Sequence, residues 1–138
     1  VRSGDVVKVH ALRRGAAAMG REPPEMVVHV PVCVHEDVKA VREGVRKQFG
    51  HFASTEFYSK MFAAAGFPGS KETGWTDEMI EGVALYGDEA QVAQGLQGVL
   101  AFGASRLIVS IVRAPGAEER SEQRTLALLA EMSKLSLE

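Results

Sequence analysis

An α/β fold with about three parallel strands is what this sequence predicts, and three stretches carry the prediction. "RLIVSIV", residues 106–112, is a nearly unbroken β-branched run, the composition of a strand covered on both faces as in parallel sheets. Residues 88–102 before it read as a helix with a stop or start signal at each end. "MVVHVPVCV", residues 26–34, is a second strand-like run and is again followed by helical periodicity. A helix feeding such a strand is half of a βαβ unit.

In chain order, residues 3–19 form the first predicted helix, with Val6, Val9, Arg13 and Ala16 or Ala17 along one side; Gly20 and "EPPE" end it. The strand at 26–34 carries Pro31 near its end, where an edge position or the last pair before a loop tolerates the missing amide. A second helix spans 36–49, with Val38, Val41, Val45 and Phe49 at three- and four-residue spacing. Residues 50–82 then break the pattern and read as a helical insertion, two short helices flanking a Gly-Phe-Pro-Gly loop, the second capped by Thr76. Residues 83–86, "VALY", make a very short strand. Asp88 stands three residues before Gln91, the spacing of a capping box, and Gly103 supplies the left-handed residue that closes the helix. Val92, Leu96, Val99 and Leu100 recur on its buried face. After the strand at 106–112, where alternation puts Ile108 and Ser110 on one side, residues 117–135 form a last helix with Leu126, Leu129 and Met132 expected on its buried side.

Composition bounds the function classes. At 138 residues, 46% hydrophobic and 25% charged, the chain has the size of one globular domain. A net charge of -2, with basic residues spread along helices, leaves no electrostatic footprint for nucleic acid. No apolar run approaches the roughly 20 residues of a membrane helix, and the N-terminus lacks the apolar stretch of a signal peptide, so a cytoplasmic protein without membrane contact is expected. The single cysteine, Cys33, excludes an internal disulfide and a cysteine zinc cluster, and no metal site is expected. The chain begins at Val1 rather than Met and is expected to be a piece of something longer. Three parallel strands alone would leave an apolar edge, so the missing strands are expected upstream of Val1 or in another chain, as a homo-oligomer.

The order and spacing of three segments resemble the C-terminal part of the luciferase-like monooxygenase family. They are "MVVHVPVCVHEDVKAVREGVRKQF", the insertion with "FYSKMFAAAGFP", and above all "LYGDEAQVAQGLQGVLAFGASRLIVS"; "RTLALLAEM" is similar to the family's final helix. The resemblance implies a partial (β/α)8 TIM barrel and an oxidoreductase or monooxygenase that uses FMN or coenzyme F-420 on a small-molecule substrate. It also implies that the earlier strands, which hold most of the cofactor contacts in the family, lie outside this chain, so the isolated chain should not bind cofactor. A non-catalytic partial-barrel module, oligomeric or small-molecule-binding, is the rival reading.

In such barrels the chemistry sits at the carboxyl ends of the strands. That filter selects Tyr86, Ser110 and Arg113, the last where a strand meets a Pro-Gly loop, as cofactor- or substrate-binding candidates. Tyr58, with Phe57, Phe62 and Phe67, either lines the substrate side of the barrel mouth or packs the insertion. His29, Cys33 and His35 read more simply as a structural histidine, a small core residue and a loop residue. Asp88 and Glu89 place two carboxylates at a helix N-terminus, which opposes phosphate there and leaves "GDEAQ" as a cap. No residue announces itself as catalytic.

Overall fold

The computed structural model describes residues 3–135. Its elements run α1 (Ser3–Ala18), β1 (Val27–Val34), α2 (Val38–Ser54), α3 (Glu56–Ala64), α4 (Ser70–Thr73), α5 (Asp77–Val83), β2 (Leu85–Gly87), α6 (Glu89–Ala101), β3 (Arg106–Ile111) and α7 (Glu118–Leu135). Local chemistry sets most of these boundaries. Asp37 caps α2 by accepting from the amides of Lys39 and Ala40, and Thr76 caps α5 by accepting from that of Met79. At α6 both halves of the capping box form, Gln91 N–H to Asp88 Oδ1 at 2.8 Å and Asp88 N–H to Gln91 Oε1 at 2.9 Å. Gly87, at φ 121°, makes the turn into that cap, and Gly103, at φ 125°, the turn out of the helix.

The three strands are parallel, in the order β2-β1-β3. The chain therefore moves one way from β1 to β2 and the other way from β2 to β3. Because parallel crossovers are right-handed, this reversal sends α2 and α6 to opposite faces of the sheet. Val30, Val32 and Val34 accordingly pack with Val92, Leu96 and Leu128 of α6 and α7. Cys33 and Val112 pack on the other face with Val41, Val45 and Phe49 of α2 and with Met79 and Ile80 of α5. The α/β class and the parallel sheet are as expected. The strand order is not that of successive barrel staves, which would place β2 between β1 and β3.

Pro31 occupies the central strand, and the register explains how. β2 begins opposite Val32, so β1 has no neighbour on that side at Pro31, where the amide is missing. At the other end Val34 extends beyond β3, and its N–H donates to Thr125 Oγ1 at 2.9 Å instead. Ser121 Oγ, one turn earlier on α7, accepts from Ala114 N–H at 3.0 Å just after β3. Both hydroxyls are fully buried. They anchor α7 across the carboxyl ends of two strands.

Several expectations change. α2 runs to Ser54, so the insertion starts later than residue 50 and holds three helices rather than two. Leu100 and Leu126 are exposed, and the buried side of α7 is Ser121, Thr125 and Leu128 with Leu129 and Met132 half-buried. Ile108 shares a face with Ser110 but is 57% exposed, because α2 covers only the carboxyl half of that face. The expectation for Val6 and Val9 falls outside the described side chains; Arg13 and Ala17 are exposed and Ala16 is half-buried.

Candidate functional site

The carboxyl ends of the strands lead into residues 35–37, the single linking residue Asp88, and residues 112–117, and two charged clusters sit there. In the first, Arg124 of α7 forks onto two carboxylates. It donates to Glu36 from Nη1 and Nη2 at 2.9 and 2.7 Å, and to Glu89 from Nε and Nη2 at 2.7 and 2.8 Å. Glu36 follows β1 and Glu89 opens α6, so one guanidinium ties three elements together. Its hydrogen bonds hold the Glu36 carboxyl down at about 2 and push Glu89 down as well, while the two carboxylates raise Arg124 above its usual range.

The second cluster links the insertion to the sheet. Arg42 of α2 donates to Asp77 Oδ2 at 3.0 Å and to Glu81 Oε1 at 2.7 Å, and Arg46 pairs with the other oxygen of Asp77. Tyr86 Oη donates to Glu81 Oε1 at 2.6 Å. Burial first, and then the Glu81 hydrogen bond, raise the phenol above its ordinary value, so it stays a proton donor. Hydrogen bonds from Tyr86 and Arg42 in turn lower Glu81.

The four candidates from the sequence have four different partner sets. Tyr86 is bound to Glu81 and Arg113 to Glu122 at 3.1 Å, both at the carboxyl ends. Ser110 Oγ and His29 Nε2 lie 2.7 Å apart across β3 and β1, with the His29 ring edge-on to Phe49. Tyr58 packs in tilted and edge-on contacts with Phe52, Phe57 and Phe62, which is the packing role; of the four, Tyr58 and Tyr86 border the same apolar cluster. Trp75 joins that cluster through Phe62 and donates from Nε1 to Phe49 O at 2.7 Å. The Cys33 thiol is pushed up to about 11 by burial, which makes it a poor nucleophile. His35 forms a bridge to Gly87 beside the α2 cap.

Sequence reasoning passed over Arg124, Glu36 and Glu81. A signal for the first two existed: a carboxylate just after each of two parallel strands calls for a cation above the sheet, and Arg124 lies on the helix that crosses there.

Chemically, the arrangement offers a donor phenol, an exposed arginine and a serine-histidine pair, but no set of nucleophile, base and orienting group in mutual contact. Among the described residues no three His, Cys, Asp or Glu side chains converge as metal ligands. No helix among them is long and apolar enough to cross a membrane. Two hollows, of about 790 and 320 Å³, lie elsewhere, beside α1 and the amino ends of β1 and β3. Compared with family models, with curated proteins and with solved structures, the chain matches none.

Proposed function

We propose that this chain supplies the C-terminal strands of a luciferase-like oxidoreductase that uses FMN or coenzyme F-420 on a small-molecule substrate. The observation that carries the reading is the run from Leu85 to Ile111, a short strand ending in Gly87, a capping-box helix, a glycine turn and a second parallel strand. Those are the features on which the family resemblance rests. A sheet whose two outer strands each have one neighbour also suits a segment to which more strands are added. The residues present do not themselves form a cradle for an isoalloxazine ring, since Tyr58, Tyr86, Ser110 and Arg113 are engaged separately. On this reading cofactor binding belongs to the longer enzyme, and no chemical step is assigned to this chain.

A second reading, an oligomeric or small-molecule-binding α/β module without catalysis, is favoured by the strand order β2-β1-β3 and by helices on both faces of the sheet. Titration of oxidised and reduced FMN and coenzyme F-420, followed by fluorescence or calorimetry, separates the two. The product of the complete reading frame should bind one cofactor in the micromolar range, and residues 1–138 alone should bind neither. Failure of the longer product to bind either, or saturable binding by the isolated chain, overturns the oxidoreductase proposal.

A further inference from the structure

Among the described residues, no strand pairs with the outer edge of β3. Arg106 N–H donates to Met26 O at 3.3 Å and Val112 N–H to Val32 O at 2.8 Å, so alternation turns the backbone groups of Leu107, Val109 and Ile111 away from β1. Gln48 Nε2 meets the Ile111 carbonyl at 3.1 Å. No proline or bulge guards the remainder of the strand, as exposed edges ordinarily require. Apolar surface adjoins the edge on both faces. Ile108 is 57% exposed on one. On the other, Arg124 reaches across to α6 while Glu122 reaches Arg113 beyond the end of β3, so the flank of α7 turned away from α6 overhangs the free edge. Leu126, one turn after Glu122 on that flank, is 51% exposed.

We infer that β3 pairs antiparallel with β3 of a second copy, about a twofold axis at Val109, and that the two α7 helices pack side by side above the joint. The inference rests on the second reading above and needs no cofactor. The pairing is self-complementary. Val109 meets its own counterpart, and Ile108 lies beside Ser110 of the second copy. The Arg106 and Glu25 pair at one end of β3 adjoins the Arg113 and Glu122 pair of the second copy at the other, so both signs are present at each end. α7 lies over β1 and β3. A twofold axis perpendicular to the sheet puts both α7 helices on the same face, one on each side of the joint, with their Leu126 flanks turned toward each other. A joint about 20 Å long and two layers deep covers on the order of 500 Å² per copy, less than the roughly 800 Å² of a standard interface. The dimer is therefore reversible and dissociates on dilution.

Sedimentation across a concentration series tests this with the wild-type chain, Ile108→Lys, Leu126→Lys, and Phe57→Lys as a control on the exposed side of α3. The wild type should pass from monomer to dimer. Each of the first two variants should weaken dimerisation by about tenfold or more, with circular dichroism and urea midpoint unchanged, and Phe57→Lys should not. A wild type that is monomeric at every concentration overturns the inference. So does a Phe57→Lys effect as large as that of Ile108→Lys, or a monomeric product of the complete reading frame, in which a strand of the same polypeptide would occupy the edge. Cofactor affinity does not enter any of these readouts, so failure of the dimer and failure of the oxidoreductase proposal are read by different measurements.

Discussion

Truncation of Leu96 probes the junction of α6, β1 and α7 directly. Leu96 is 2% exposed and packs with Val30, Val32, Val34, Val92 and Leu128. Leu96→Ala removes three buried carbons, about 2.4 kcal/mol at ~0.8 kcal/mol per methylene. The cavity adds to this, because the β-branched neighbours cannot turn into the space, and a total of about 3–4 kcal/mol is expected. Gln94 lies on the exposed side of the same helix, so Gln94→Ala should change stability by less than about 0.5 kcal/mol. Urea unfolding at a common m-value reads both differences. Equal effects at the two positions would refute the assigned helical face, and with it the packing of α6 on the sheet.

Three further outcomes are expected. A methyl group on Gly44 would stand 2.6 Å from Arg113 O and 3.0 Å from Val112 Cγ1, whereas on Gly98 it would meet nothing within 4 Å. Gly44→Ala should therefore cost about 1–3 kcal/mol and Gly98→Ala should stabilise by about 0.5–1 kcal/mol; thermal or urea melts with both variants destabilised alike would contradict this. Thr125→Val leaves the Val34 amide unpaired inside the fold and should cost about 1–3 kcal/mol, with Thr125→Ser largely sparing it; a Thr125→Ser loss as large as that of Thr125→Val, or larger, would contradict the role given to the hydroxyl. Glu36 titrates at about 2 in the fold against 4.5 unpaired, so its contribution is present above the higher value and is lost as the pH falls toward the lower one. The stability gap between wild type and Arg124→Met should accordingly hold near neutral pH and narrow in acid, and a gap independent of pH would show that Arg124 does not act through its pairing with Glu36.

Elements specified by short-range chemistry were legible in the sequence. The capping box at Asp88 and Gln91, the Thr76 cap and the β-branched runs all form within a few residues, and each appears where expected. The buried side of α7 was not legible from apolar spacing, since two of its positions are Ser121 and Thr125. They are buried because their hydroxyls satisfy strand-end amides that no strand reaches, a requirement set by residues 7 and 91 positions away. Leu126 misled for the complementary reason: an apolar residue on a helix flank signals burial only if the sheet continues beneath it, and here β3 is the last strand. Strand order was beyond local reading altogether. Two βα units of the same local form can add on one side of β1 or on both, and nothing within either unit distinguishes these outcomes.

That ambiguity bears on which surface is available for function. At the carboxyl ends of the sheet, Arg124 is paired with Glu36 and Glu89, Arg42 through its two terminal nitrogens with Asp77 and Glu81, and Tyr86 with Glu81. An anionic ligand arriving there would have to displace a carboxylate from its arginine, and the two acids at the α6 N-terminus oppose it further. Compared with Arg124 and Arg42, Arg113 is the more available, 55% exposed and held by the single carboxylate of Glu122. Among the described residues, exposed apolar surface lies along the side of the sheet instead, at the β3 edge, Ile108 and Leu126. A polar end closed by ion pairs and an apolar strand edge are what the proposed addition of a further strand requires, and they do not favour a charged small molecule at the carboxyl ends. Whether that strand comes from a longer polypeptide or from a second copy is what separates the enzyme reading from the module reading, and sedimentation of the complete reading frame beside residues 1–138 distinguishes the two.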